Sequence, residues 1–290
     1  MNFQEQAVRF CCHHDWLYGI LHLPQQPVTR GVLIVVGGPQ YRAGSHRQFV
    51  LLARYLAERG IPVMRFDCRG MGDSDGEIRT FEHVEEDLRG ATDFFFSECP
   101  FLEDVVIWGL CDAASAALFY AHQDQRVSGL VLLNPWVRTE QGIARAYLKH
   151  YYLERLSEPA FWKKLLGGQF NLLASIRSLY EFGRSSVQSR KEAVVSEEKA
   201  GSSCDPAAPL PERMLDGLKY FQGKTLIITS GNDLTAREFL DLIDSSADWQ
   251  ETMRAKQAEL FHMEGANHTF STREWRDQVA ELTGNRVLSW

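Results

Sequence analysis

The chain has 290 residues, 44% of them hydrophobic and 24% charged, with a formal net charge of −7. This is the composition of a globular protein long enough for one large α/β domain, with or without an insertion. The negative charge argues against nucleic acid or an anionic membrane surface as the main partner. The first residues, MNFQEQAVRFCCHHDW, lack a basic segment followed by an apolar core, and no apolar run approaches the ~20 residues of a membrane span. Six cysteines, at 11, 12, 68, 99, 111 and 204, show neither a CxxC pair nor zinc spacing. Reduced thiols in a cytoplasm, with no stable membrane insertion, are the expectation.

Glu5 to Cys12 and Leu17 to Leu23 read as two strands joined by a solvated turn at His13-His14-Asp15. Consecutive residues cannot easily converge on one ion, so a metal site there is not expected. Gly31 to Val36 is a continuous apolar strand of the kind buried on both faces of a parallel sheet. It runs into Gly37-Gly38-Pro39-Gln40, and a helix follows over about Arg47 to Arg59. A strand at Pro62 to Phe66 leads into Asp67-Cys68-Arg69-Gly70-Met71-Gly72-Asp73-Ser74, whose glycines permit tight turns. A helix over about Phe81 to Glu98 precedes a strand at Val105 to Trp108, and Val127 to Leu133 is the next strand.

The strand–helix alternation predicts a doubly wound, mostly parallel sheet. It stops after Asn134-Pro135. Residues 136–220 carry aromatic and Leu residues at helical spacing, such as Tyr147, Tyr151, Phe161, Trp162 and Leu166. They read as a helical insertion between core segments 1–135 and 221–290. Its Ser-, Glu-, Lys- and Pro-rich part, about Ser185 to Pro211, is expected to be mobile. The sheet resumes at Lys224 to Thr229, with a helix from about Ala236. A last strand at Ala258 to Met263 ends at Gly265-Ala266-Asn267-His268, before a C-terminal helix. In all, eight strands are expected.

Chemistry concentrates at Gly109-Leu110-Cys111-Asp112-Ala113, between a predicted strand and a helix rich in Ala. Small-x-nucleophile-x-small is the pattern of a nucleophile elbow. The turn is so tight that side chains two before and two after the nucleophile would strike backbone, and here they are Gly109 and Ala113. The turn also sets Cys111 at a helix N-terminus, where the dipole favours a thiolate. The bland alternative is a buried, inert Cys ending an ordinary strand.

Context favours the elbow. Cys111, Asp233 and His268 follow one another in the order nucleophile, acid, base, each just past the C-terminal end of a predicted strand. His268 would take and return the proton, Asp233 would hold the imidazole, and Cys111 would carry the acyl group. The bland reading of Asp233 is a helix cap. An oxyanion hole needs two backbone N–H donors. One is expected from Asp112 and one from the 37–40 loop, where Pro39 has none, leaving Gly38 first and Gln40 second. The Asp112 carboxylate opposes a neighbouring thiolate, so its side chain is expected to point outward. Arg42, His46 and Arg47 beside the loop could bind an anionic substrate or carrier, or simply be the solvated start of a helix.

With these residues in view, the chain resembles the α/β-hydrolase superfamily, through GGPQ (37–40), DCRGMGDS (67–74), GLCDA (109–113), SGND (230–233) and GANHTFS (265–271). GGPQYRAGSHRQF (37–49) and the Cys elbow are similar to the exosortase A system-associated hydrolase 1 family. The resemblance implies an α/β-hydrolase fold with a helical cap over the active site, and a bacterial cytoplasmic enzyme. It departs from the commonest pattern in having Cys for Ser and no His before the oxyanion loop. The expected activity is cleavage of an ester, thioester or lactone through an acyl-cysteine. A small-molecule or carrier-bound acyl substrate is implied, with no metal or organic cofactor; a homodimer is compatible with the sequence. An acyltransferase on the same residues, or a non-catalytic ligand-binding protein on the same fold, are the alternatives.

Overall fold

A computed structural model of the protein describes residues 2–38, 40–137 and 208–290. The strands are β1 (Phe3–Cys12), β2 (Asp15–Pro24), β3 (Arg30–Val35), β4 (Val63–Phe66), β5 (Asp104–Leu110), β6 (Val127–Leu133), β7 (Lys224–Asn232) and β8 (Glu259–Asn267). They form one sheet in the order β1-β2-β4-β3-β5-β6-β7-β8. β2 runs antiparallel to β1 and β4, and the remaining neighbours are parallel. This is the α/β-hydrolase fold. Chain order reverses on either side of β3, which brings the C-terminal ends of β3, β5, β6, β7 and β8 together at one edge, where open α/β sheets build their sites.

The helices are α1 (Gln48–Glu58), α2 (Glu85–Glu98), α3 (Asp112–Ala121), α4 (Leu210–Tyr220), α5 (Leu234–Ser245), α6 (Ala247–Ala255) and α7 (Arg273–Ser289). They cover both faces of the sheet. One apolar layer joins Leu33, Ile107 and Leu132 to α2, α3 and α4 through Phe95, Leu118 and Met214. The other joins Ile34, Trp108 and Val131 to α1 and α7 through Phe49, Leu56 and Val287. Alternate residues of one strand serve opposite layers, as pleating requires, and each such buried side chain stabilises by about 1.5–3 kcal/mol. Both faces are apolar, which is why the central strands read as continuous hydrophobic runs.

The core resumes earlier than the expected 221. Leu210, Met214 and Leu218 of α4 are buried, and Gly217 lies so close to α3 that a Cβ there would fall 2.3 Å from the Leu118 carbonyl oxygen. Leu210 and Pro211, expected in a mobile stretch, open this helix. Residues 138–207 of the expected 136–220 insertion lie outside the described residues. Among the described residues no helix is long and apolar enough to cross a membrane.

Candidate active site

β5 ends at Leu110 and α3 begins at Asp112, so Cys111 alone makes the turn. Its φ of 63° and ψ of −121° are costly for a residue with a side chain and persist only when the surroundings impose them. Here the Cys111 N–H donates to the Leu133 carbonyl at 2.8 Å, and its carbonyl accepts from Ala114 and Trp136 N–H at 3.1 and 3.2 Å. Gly109 allows the approach: a Cβ there would lie 2.7 Å from the Ala113 carbonyl carbon. The Cys111 side chain is left half-buried at the edge of the sheet. Ser115, one turn on, is buried and donates to the Trp136 carbonyl at 2.7 Å, so it is committed to structure.

β7 and β8 deliver the expected acid and base. His268 Nδ1 and Asp233 Oδ2 are 2.8 Å apart. The Asp233 side chain is 8% exposed and that of His268 35%, so the carboxylate is sequestered and the imidazole keeps an open edge. Asp233 is also the cap its sequence position suggested: it accepts from Thr235 and Ala236 N–H at 3.3 and 3.2 Å. The two roles coexist because a carboxylate has acceptor capacity for both. The Asp233 hydrogen bond foremost, and then the neighbouring Cys111 thiol, push the His268 pKa up to about 10 against the opposing effect of burial. Burial works to raise the Asp233 pKa, but the His268 bond and charge and the helix amides prevail and the net shift is downward.

A buried hub that sequence reasoning missed ties these strand ends together. Asn134, fully buried at φ 43°, accepts from the Ser230 N–H at 2.8 Å. Its amide donates to Ser230 Oγ at 2.7 Å and to the His268 carbonyl at 3.0 Å. Ser230 Oγ donates onward to the Asn267 carbonyl at 3.0 Å. One side chain from the end of β6 thus fixes the backbone on both sides of the acid–base pair. The available signal was an Asn before Pro at a strand end, since Asn tolerates positive φ better than most residues.

The loop after β3 corrects one expectation. Asp112 does not point outward. Its carboxylate folds back over the loop, accepting from Gly38 N–H at 2.7 Å and from Ala113 N–H at 2.9 Å. Those amides hold the anion, as helix N-termini do. Burial nevertheless prevails and raises its pKa, against the amides of Gly38, Ala113 and Asp112 itself and the charge of His268. The expected loop donor, Gly38, is therefore already engaged. Gln40 stands further along, with a buried Oε1 that has no protein partner among the described residues.

Arg42 is likewise committed. Its side chain pairs with buried Asp67 and, at 2.7 Å, with Asp73, and its N–H donates to Asp67 Oδ1 at 2.7 Å. It fastens the β3 loop to the loop after β4 and presents no open charge to a substrate. His46 and Arg47 are exposed at φ 53° and 60°, and among the described residues neither side chain has a partner. Of the other histidines, His262 contacts Thr229 Oγ1 at 3.0 Å, and His83 is exposed.

Comparison with known proteins agrees with this architecture. Polyketide transferase grgF from a Penicillium species is 30% identical over 90 residues. That match spans 30% of this chain and 31% of the fungal protein's length. Among solved structures, the esterase Pf2001 of Pyrococcus furiosus superposes with a TM-score of 0.65 at 16% identity, covering 99% of this chain and 93% of that one. Dienelactone hydrolase from Anabaena variabilis superposes with a TM-score of 0.58 at 15% identity, covering 100% and 99%. At such identities the likeness is one of fold. The family model of the alpha/beta hydrolases matches residues 32–282, from β3 through most of α7, and the chain belongs to the alpha/beta hydrolase family.

Proposed function

We propose that the protein is an esterase-type hydrolase that cleaves an ester, thioester or lactone with Cys111 as nucleophile, His268 as general base and acid, and Asp233 as the group that orients and stabilises the imidazolium. The observation that carries this reading is the 2.8 Å His268–Asp233 contact beside a half-buried cysteine at φ 63°. In acylation the Cys111 sulfur, its proton held by His268, bonds to the acyl carbon, and the carbonyl π pair becomes an oxyanion. Collapse breaks the bond to the leaving group, which takes the proton from His268. Water, deprotonated by His268, then adds to the thioester and releases Cys111.

A thiolate leaves more easily than an alkoxide, so collapse back to reactants is easiest with poor alcohol leaving groups. That favours thioesters, lactones and activated esters. An acyltransferase, in which an acceptor alcohol replaces water, is the second reading. The partial similarity to a polyketide transferase favours it. GGPQYRAGSHRQF (37–49) and the Cys elbow support placement with the exosortase A system-associated hydrolase 1 family, and with it a cytoplasmic, bacterial enzyme acting on a small or carrier-bound acyl substrate. The insertion directly after β6 stands where this family carries a cap, and we assign it that role.

The test is intact-mass analysis of acid-quenched full-length protein after incubation with acyl thioesters, aryl esters and lactones. The expected result is a single acyl adduct on Cys111, absent from Cys111→Ala. No adduct with any class, or turnover that survives in Cys111→Ala, would overturn the assignment. Partition of the adduct between water and added alcohols separates hydrolase from transferase.

A further inference from the structure

The Asp112 carboxylate accepts from two backbone N–H groups: Gly38's, 2.7 Å from Oδ2, and Ala113's, 2.9 Å from Oδ1. Gly38's is the first loop donor expected, with the N–H of Asp112, to meet a developing oxyanion. A carboxylate oxygen matches that oxyanion in charge and in hydrogen-bonding preference. The loop is shaped to it: a Cβ on Gly37 would fall 1.9 Å from Asp112 Oδ1. The next residue, Pro39, has no N–H to offer instead.

A substrate carbonyl oxygen therefore reaches the Gly38 N–H only when the Asp112 side chain turns away. Displacing a well-held anion raises the barrier, and by least for an acyl group whose own bound contacts favour the displaced side chain. Acyl groups with further contacts can offset that cost with remote binding energy, and small ones cannot. We propose that Asp112 is a specificity-determining residue: its carboxylate is an internal occupant of the oxyanion hole that a substrate must displace, which selects large or carrier-bound acyl groups over small ones. This rests on Cys111 being the nucleophile.

The experiment uses 1,1,1-trifluoroacetone, a ketone too small to be held elsewhere. Addition of the Cys111 sulfur to its carbonyl carbon forms a C–S bond, turns the π pair into an oxyanion and leaves the thiol proton on His268. Adduct formation is followed by fluorine NMR in full-length wild type, Asp112→Ala, Asp112→Asn and Cys111→Ala. The expected result is tighter adduct formation, by about tenfold or more, in Asp112→Ala, and a smaller gain in Asp112→Asn, which keeps an acceptor but loses the charge. Unchanged or weaker binding in both variants, with the Cys111 adduct still seen, overturns the internal occupant alone and makes Asp112 a support for the loop. No adduct in any variant overturns the nucleophile assignment as well.

Discussion

On the β7–β8 side of Cys111, polar groups hold one another in working order: Asp233 on His268, Asn134 on the His268 backbone, Ser230 on Asn267. On the β3 side the loop amide meets a carboxylate of the chain itself. The first side is preorganised and costs little reorganisation when a substrate arrives. The second must change before it can act. On the proposed reading, one fold supplies a fixed proton-transfer apparatus and an anion site that is already filled, and the difference locates where selectivity can arise.

The largest expected effect lies on the fixed side. Cys111→Ala or His268→Ala should lower turnover by about 10⁴-fold or more, because residues that act as a unit fail together. Asp233→Asn should cost about 10³–10⁴-fold while keeping most of the helix cap, so its melting temperature should stay near wild type. A large loss of stability in that variant would mean that Asp233 serves the fold more than the reaction.

Asn134→Ala sharpens the comparison further. It leaves the Ser230 N–H and the His268 carbonyl without their partner in a buried place, a loss of about 2–3 kcal/mol readable by urea denaturation. Turnover should fall through kcat with KM nearly unchanged, since Asn134 is fully buried. A rise in KM alone would show that the hub shapes a binding surface instead.

Gly37→Ala probes the filled side. Its Cβ would displace the Asp112 carboxylate and crowd the Ala113 nitrogen at 2.8 Å. A destabilisation of about 1–3 kcal/mol is expected from overpacking, and Asp112→Ala in the same chain should relieve part of it. Additive losses in the double variant would show that the Asp112 contact does not set the loop.

The smallest effect is on stability against pH. His268 rises from 6.5 to about 10 on folding, so its contribution is full below pH 6.5 and is lost as pH rises through about 10. Asp233 is lowered, so its share is present above its unfolded value and is lost as pH falls through the folded one. Wild type should therefore lose melting temperature between pH 6.5 and 10 more steeply than His268→Ala. Parallel curves would contradict the ion pair.

Much of this was legible in the sequence. The strands of the central sheet are long apolar runs, and the elbow's demand for small residues at 109 and 113 is steric and local. The order Cys111, Asp233, His268 needs only the strand order to bring it together. What could not be read depended on where a side chain turns. Asp112 has two good options at a helix start, solvent or the neighbouring loop, and only the proximity of Gly37 and Gly38 decides. Arg42 looked available to a substrate because its partners, Asp67 and Asp73, lie on another loop. Asn134 closes a strand like many other asparagines, and its hub exists only once β6, β7 and β8 are side by side.

The most direct test is the rate of Cys111 alkylation by iodoacetamide across pH, read by peptide mass, in wild type and His268→Ala. A thiol paired with His268 is predicted to react about tenfold or more faster near neutral pH in wild type than in His268→Ala, with Asp112→Ala unchanged or faster still. Equal rates in wild type and His268→Ala would contradict the central claim that the β8 imidazole activates the elbow cysteine.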